Sequence, residues 1–149
     1  MISFSAIFIL IEDKKLIIDY EYVKNKFVDY VSNYDPKNPK IALKIAHTYR
    51  VAELCKQIAE SINLSKEECD LAWLMGMLHD IGRFEQVRRY NTFVDAESVD
   101  HALLGCEILF EEGYIKAFEE ISFNKSDFIE KIYLIAGNSQ VDNQQLSYY

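Results

Sequence analysis

The chain has 149 residues, which is enough for one domain with a substantial hydrophobic core. Half of the residues are apolar and only five are Gly and two Pro, a composition that disfavours extended disorder and favours helices. The formal net charge of −8 argues against nucleic acid as a partner, because binding its backbone requires many Lys and Arg. An acidic protein that handles phosphate therefore needs a local cation, either a metal or a few well-placed basic side chains.

The first predicted element is a short apolar run from Ile7 to Ile11, which we interpret as a docking strand or a first helical turn. It is too short to span a membrane and no basic residue precedes it, so we expect no signal peptide and no membrane partner. The three cysteines, Cys55, Cys69 and Cys106, form no CxxC motif. We expect them to be buried reduced thiols, as is typical of a cytoplasmic protein.

Apolar residues recur every three or four positions over residues 16–34, which predicts a helix, and the segment DPKNPK that follows predicts a loop. A second, long helix is predicted over residues 41–63, and we expect it to be largely buried. On this helix His47 shares a side with three apolar residues, Val51, Leu54 and Ile58. An imidazole that faces a core needs partners for its nitrogens.

Ser65 and Glu68 have the spacing of a capping box and predict the start of a third helix, which ends at His79–Asp80. Its interior is apolar on almost every side, as in the central helix of a bundle. We expect a loop after it, containing the segment RRYNTF as a candidate pocket wall or as ordinary loop charges. Further helices are predicted over SVDHALLGCEILFEEGY, capped by Ser98 or Asp100, and over SDFIEKIYLIAG. The fold prediction is a single all-α domain over residues 1–149, a bundle of five to six helices.

The chain contains only three histidines, His47, His79 and His101, and all three lie on helices that should pack together. Two imidazoles and a carboxylate suit a divalent ion such as Mn²⁺, Fe²⁺, Co²⁺, Ni²⁺ or Zn²⁺. A single histidine at such a position is more often hydrogen-bonded than ligating. The joint pattern of His47 and the pair His79–Asp80 favours a metal site.

Three segments, HTYRVAELCKQIA, AWLMGMLHDIGRFEQ and DHALLGCEIL, resemble the HD-domain superfamily of metal-dependent phosphohydrolases, in particular small stand-alone bacterial members. The resemblance covers residues 38–136. It implies a helical HD-type bundle with a divalent metal (Mn, Fe, Co, Ni, Zn or Mg) held by His47, His79 and Asp80. His101 matches a histidine that helps to hold a second metal in binuclear relatives, and its alternative role is a hydrogen-bonded residue at a helix start.

The resemblance also implies a reaction, the hydrolysis of a phosphomonoester or phosphodiester, with a small phosphorylated substrate of nucleotide type. Asp80 is expected to hold the metal and orient the attacking water, and Arg83 to stabilise charge on the phosphoryl group. Arg50 and Lys44 are candidates for substrate binding. For each of these three cations the alternative is a solvated surface charge.

The tail over residues 137–149 departs from the family pattern, which continues with another His and a helix bearing a final metal-binding Asp. Asp142, Asp95 and Asp100 are weak substitutes for that ligand. Loss of the helix would expose apolar residues such as Ile132 and Ile135, which favours a homodimer. Two alternatives to an active enzyme follow: an impaired module that binds metal or nucleotide, and a structural or partner-binding bundle that takes up no metal.

Overall fold

The computed structural model describes residues 18–116, and all of its regular elements are helical. The prediction of an all-α fold is therefore confirmed for this part of the chain. The apolar run near the start and the predicted helix over residues 126–137 lie outside the described residues. The α-helices are α1 (Tyr20–Val31), α2 (Pro39–Ser61), α3 (Lys66–Leu78), α4 (Ile81–Tyr90) and α5 (His101–Cys106), with a 3₁₀ turn at Asp95–Glu97 and a π-helical turn at Glu107–Glu111.

Side-chain caps fix where these helices begin. The predicted capping box is confirmed, since the Ser65 side chain accepts from the Glu68 backbone N–H and the Glu68 side chain accepts from that of Ser65. Of the two candidate caps for the helix that contains His101, the structure uses Asp100, which accepts from two backbone N–H groups at the start of α5. This cap places His101 at the first position of α5.

The core is centred on α3, as its continuous apolar sequence predicts. Trp73 and Leu74 of α3 are fully buried, and they pack in one cluster with Phe27 of α1 and Phe84 of α4. The indole N–H of Trp73 donates to Glu53 of α2, which satisfies the one polar atom of this buried side chain. Helix α3 thus contacts its neighbours on several sides and ends at the candidate site.

The expectation that α2 is largely buried, with His47 facing the core, is wrong. Thr48 and Ala52 are buried, whereas Leu54 and Ile58 expose 47% and 61% of their surface. Two adjacent stripes of α2 are apolar. Only the stripe with the small residues Thr48 and Ala52 packs against α3, whereas the stripe with Leu54 and Ile58 is exposed. His47 lies beside this stripe, at the edge of the bundle.

The loop expected after the HD pair is also absent, since Ile81–Tyr90 forms α4 and includes the first three residues of the RRYNTF segment. Ile81, Phe84 and Val87, spaced by three, provide the buried face that stabilises this helix. It ends at Asn91, whose φ of 53° places it in the left-handed region where helices commonly stop. The bend-permitting Gly82 concealed this short helical pattern in the sequence.

Two glycines allow the helices around the site to approach closely. A Cβ at Gly76 of α3 would lie 2.5 Å from the Cα of Ala52 on α2. A Cβ at Gly82 of α4 would lie 2.3 Å from the carbonyl oxygen of His101 and 2.6 Å from the backbone N of Gly105 on α5. The contact at Gly76 therefore sets the distance between α2 and α3, and the contact at Gly82 sets the distance between α4 and α5.

The three cysteines are free, as expected, although only Cys69 is fully buried and Cys55 and Cys106 are half-buried. Within residues 18–116 none of the helices combines the length and the apolar character that a membrane crossing requires.

Candidate metal centre

Asp80 is the centre of the site and lies at the junction between α3 and α4. It occupies the position before the first residue of α4, but its side chain makes no capping hydrogen bond among the described residues. Only 4% of the residue is exposed. Asp80 is thus a buried carboxylate whose two oxygens can interact with side chains from other helices.

One carboxylate oxygen, Oδ2, faces three nitrogens from α2 and the end of α3. The Lys44 ammonium lies 2.7 Å from it, and the Nε2 atoms of His47 and His79 each lie 3.4 Å from it. The potential ligand atoms of His47, His79 and Asp80 all lie within 4.8 Å of one another. We call Lys44, His47 and His79 the Lys44 side of the site.

The other oxygen, Oδ1, faces α4 and α5. The Nε2 atom of His101 lies 3.7 Å from it and the Nε atom of Arg83 lies 3.8 Å from it. All three imidazoles therefore present the same nitrogen, Nε2, to one carboxylate. We call Arg83, His101 and the residue that joins them, Asp95, the Asp95 side.

Two of the imidazoles are oriented by a hydrogen bond at their other nitrogen. Nδ1 of His79 lies 2.7 Å from the carbonyl oxygen of Gly76, and Nδ1 of His101 lies 2.7 Å from Asp95 Oδ2. Carbonyl and carboxylate oxygens only accept, so Nδ1 is the donor in both pairs. In the neutral ring this leaves the Nε2 lone pair available to a metal, the arrangement found around metal-ligating histidines.

Burial alone would raise the pKa of Asp80, but hydrogen bonds from His79 and Lys44 and their positive charge hold it well below its usual range. Burial and the nearby charge of Lys44 lower the pKa of His47. Burial also favours neutral His79, but its contact with Asp80 outweighs this and raises its pKa. Asp80 is therefore ionised and His47 neutral at neutral pH, whereas His79 must release any proton it holds before it can bind a metal.

Arg83 and Gln86 form a partly buried network with Asp95 that sequence reasoning missed. Arg83 Nη1 donates to Asp95 Oδ1 (2.7 Å) and to Gln86 Oε1 (2.8 Å), and Gln86 Nε2 donates to the same Asp95 oxygen (2.9 Å). Burial alone would raise the pKa of Asp95, but hydrogen bonds from Gln86 and His101 lower it. The signal that could have revealed the network is the three-residue spacing of apolar residues in α4, which places Arg83 and Gln86 one turn apart.

The structure brings together six of the predicted site residues: Lys44, His47, His79, Asp80, Arg83 and His101. The seventh, Arg50, is exposed at the rim, where its Nη2 atom lies 3.5 Å from Nδ1 of His47. The potential ligand atoms of Asp95, Asp100 and His101 also lie within 4.8 Å of one another. Asp95 is already bound to His101 and Arg83, and Asp100 caps α5, so both carboxylates have structural partners.

The family model of the HD domain matches residues 45–139 of this chain. The chain belongs to the HD-domain family. The match covers all three histidines and the His79–Asp80 pair that gives the family its name. No curated protein and no solved structure gave a match to this HD-domain protein.

The donor set of the HD-domain protein fits a divalent metal. Imidazole nitrogens with a carboxylate are typical ligands of Mn²⁺, Fe²⁺ and Zn²⁺, and the buried, ionised Asp80 is a negative charge that such an ion would compensate. Asp142, the candidate final ligand in the tail, lies outside the described residues.

Proposed function

We propose that this HD-domain protein is a metal-dependent phosphohydrolase that acts on a phosphomonoester or phosphodiester of nucleotide type. The observation that carries this proposal is the approach of three imidazole Nε2 atoms to the two oxygens of one buried carboxylate, Asp80. An ammonium group lies beside the same carboxylate. Family membership supports the class of reaction, and the site geometry supports the ligands.

His47, His79 and Asp80 would hold the metal, with His101 as the further ligand on the Asp95 side. When bound, a divalent ion acts as a Lewis acid on a phosphoryl oxygen and makes water more acidic. Asp80 is the only carboxylate that all three imidazoles face among residues 18–116. We therefore assign it a second role, accepting a hydrogen bond from the attacking water and so orienting that water.

Two cations in the site have different roles in this proposal. Lys44 makes one hydrogen bond to Asp80 and exposes 15% of its side chain, so a further N–H of its ammonium can donate to a phosphoryl oxygen of the substrate. Arg83 uses Nη1 for Asp95, Gln86 and a backbone carbonyl. Its Nε atom is buried without a hydrogen-bond partner in the described residues and lies 3.8 Å from Asp80 Oδ1, so Arg83 adds positive charge beside that oxygen.

The rim of the site supports a nucleotide-type substrate. The Lys44 ammonium lies 5.1 Å from the centre of the Phe93 ring, which places a phosphate-binding cation next to an aromatic surface. A nucleotide carries both a phosphate, which a cation can bind, and a flat base, which an aromatic ring can contact. Arg50, exposed beside His47, is a second candidate for contacting the phosphates. The predicted homodimer stays a prediction, because Ile132 and Ile135 lie outside the described residues.

The test begins with the metal content of the purified protein, measured by elemental analysis before and after loading with Mn²⁺ or Zn²⁺. The loaded protein is then assayed for phosphate release from p-nitrophenyl phosphate, its bis-ester and a panel of nucleotides. We expect about one or two ions per chain and turnover of at least one substrate. His79→Ala should lose the metal and the activity, while Glu97→Gln, which alters an exposed acid near the site, should keep both.

The remaining outcomes contradict the proposal in distinct ways. Metal uptake that depends on His79, without turnover of any substrate, would identify an impaired HD module. Absence of uptake with Mn²⁺ and Zn²⁺ would identify a structural helical bundle in which the His–Asp group binds no metal. Metal uptake that is unchanged in His79→Ala would place the ion elsewhere.

A further inference from the structure

Gln86 of α4 is fully buried, and every polar atom of its side chain is used. Its Oε1 accepts from Arg83, and its Nε2 lies within hydrogen-bond distance of Asp95 Oδ1 (2.9 Å), Ser98 Oγ (2.9 Å) and the carbonyl oxygen of Val99 (3.1 Å). Burying an amide is costly unless its hydrogen bonds are made. The contacts of Gln86 tie α4 to the 3₁₀ turn that carries Asp95 and to the residues leading into α5.

The two oxygens of Asp95 have different partners. Oδ1 accepts from Arg83 Nη1 at 2.7 Å and from Gln86 Nε2 at 2.9 Å. Oδ2 accepts from His101 Nδ1 at 2.7 Å. Because the carboxylate is held at Oδ1 by donors from a helix, its other oxygen is held in a fixed place against the imidazole.

We propose that Asp95 is a positioning residue that sets the tautomer of His101, with Arg83 and Gln86 fixing the direction of the Asp95 carboxylate. The proton lies on Nδ1, because that nitrogen is 2.7 Å from an acceptor while Nε2 is 3.7 Å from Asp80, too far for a hydrogen bond. The Nε2 lone pair is thus presented toward Asp80. The inference that a metal binds this lone pair rests on the proposed function. The tautomer itself is a property of the metal-free chain.

The network predicts an unusual effect of the isosteric change Asp95→Asn. Arg83 and Gln86 are both donors at the Oδ1 position, so they will select the amide oxygen there. The amide NH₂ group then faces Nδ1 of His101 and can only donate to it. The imidazole must accept at Nδ1 and carry its proton on Nε2, the nitrogen that faces Asp80. A change that preserves shape therefore reverses the tautomer.

The test is ¹⁵N NMR of the histidine side chains in the metal-free protein at alkaline pH, with the His101 signals assigned from the spectrum of His101→Gln. We expect the Nδ1–H form in the wild type and the Nε2–H form in Asp95→Asn. Glu97→Gln is the matched control, because it removes one negative charge from the same 3₁₀ turn at an exposed position, and it should retain the Nδ1–H form. An Nε2–H form in the wild type, or an unchanged tautomer in Asp95→Asn, would overturn the inference.

Calorimetric titration with Mn²⁺ then tests what the tautomer does. Loss of a partner that orients a ligating histidine typically lowers metal affinity by about 10- to 100-fold, and we expect that loss in Asp95→Asn but not in Glu97→Gln. A reversed tautomer with unchanged Mn²⁺ affinity would show that Asp95 orients His101 but that His101 is not a ligand, which contradicts the metal part of the inference. A wild type that has the expected tautomer and binds no Mn²⁺ would contradict the proposed function and leave the tautomer assignment standing.

Discussion

The Lys44 side and the Asp95 side of Asp80 hold their histidines by different means. On the Lys44 side, His47 and His79 expose 31% and 36% of their side chains, and the hydrogen bond that orients His79 goes to a backbone carbonyl. On the Asp95 side, His101 exposes 24% and Arg83 only 15%, and both are joined to a side-chain network.

This difference indicates which kind of change will disturb each side. The Lys44 side depends on how closely α2 packs against α3, which the contact at Gly76 sets, and on the Gly76 carbonyl that orients His79. The Asp95 side depends on which atoms donate and which accept, so an isosteric replacement can disrupt it without altering the packing. On either side, a steric change at a helix contact tests the packing, and a change of charge tests the polar contacts around Asp80.

The largest expected effect comes from Gly82→Ala, at the contact between α4 and α5. The new Cβ would lie 2.3 Å from the carbonyl oxygen of His101 and 2.6 Å from the backbone of Gly105, and neither atom can move without shifting a helix. We expect a loss of at least about 1–3 kcal/mol in the free energy of unfolding, measured by urea denaturation. Mn²⁺ affinity should fall as well, because His101 moves with α5.

Gly105→Ala provides a matched control at the same helix contact. Its Cβ would meet its nearest neighbours at 3.5 Å, an ordinary van der Waals distance. Because Ala is favoured over Gly inside a helix, we expect this variant to be as stable as the wild type or up to about 1 kcal/mol more stable. Equal stabilities of the two variants would mean that the close approach at Gly82 does not hold α5 against α4.

A smaller effect is expected from Lys44→Met, which alters the charge of the Lys44 side and keeps most of the side-chain volume. The ammonium lies 2.7 Å from Asp80 Oδ2, the oxygen that also faces His47 and His79, so it competes there with a metal cation. A metal that binds this oxygen must displace the hydrogen bond from Lys44, which is worth about 1.5 kcal/mol. Because Lys44→Met removes that hydrogen bond beforehand, we expect roughly tenfold tighter Mn²⁺ binding. KM for a phosphorylated substrate should rise in the same variant, because a phosphate ligand is lost.

Lys56→Met is the control for this prediction, since Lys56 lies on the same helix but contacts Tyr20 and Glu60. It should leave both the Mn²⁺ affinity and KM unchanged. Weaker Mn²⁺ binding in Lys44→Met than in Lys56→Met would show that the ammonium supports the metal ligands instead of competing with the ion.

The parts of this architecture that could be predicted are those with short-range signals. The capping box at Ser65 and Glu68 follows from two residues, and the all-α fold follows from apolar periodicity and few helix breakers. His47 and the His79–Asp80 pair stood out because polar groups in apolar helices need partners. Their proximity in the structure agrees with that reasoning, while their roles as ligands stay predictions.

The parts that could not be predicted depend on tertiary packing. Nothing local in α2 distinguishes the stripe that packs on α3 from the exposed stripe with Leu54 and Ile58. Gln86 is an ordinary polar residue in the sequence, and it becomes a buried bridge only because α4 is a helix and the turn with Asp95 folds back on it. Mistaking α4 for a loop therefore concealed the whole network on the Asp95 side.

The smallest expected effect concerns Glu85, which anchors the opposite face of α4 from the network at Arg83 and Gln86. Its buried carboxylate accepts from Arg88 at 2.6 Å and from Arg89 at 2.5 Å. Burial would raise the pKa of Glu85, but these two guanidinium groups lower it below the ordinary value of 4.5. The stabilisation is therefore fully present above pH 4.5 and is lost as the pH falls through the lower pKa of the folded state.

We expect Glu85→Gln to flatten the pH dependence of the unfolding free energy below pH 4.5, as measured by urea denaturation at a series of acidic pH values. The amide keeps the size of the side chain but has no charge to lose. The effect should be modest, because both guanidinium groups face solvent, where water and salt screen the pairs. An acid slope as steep as that of the wild type would mean that the pairs of Glu85 with Arg88 and Arg89 contribute nothing to the stability of the folded state.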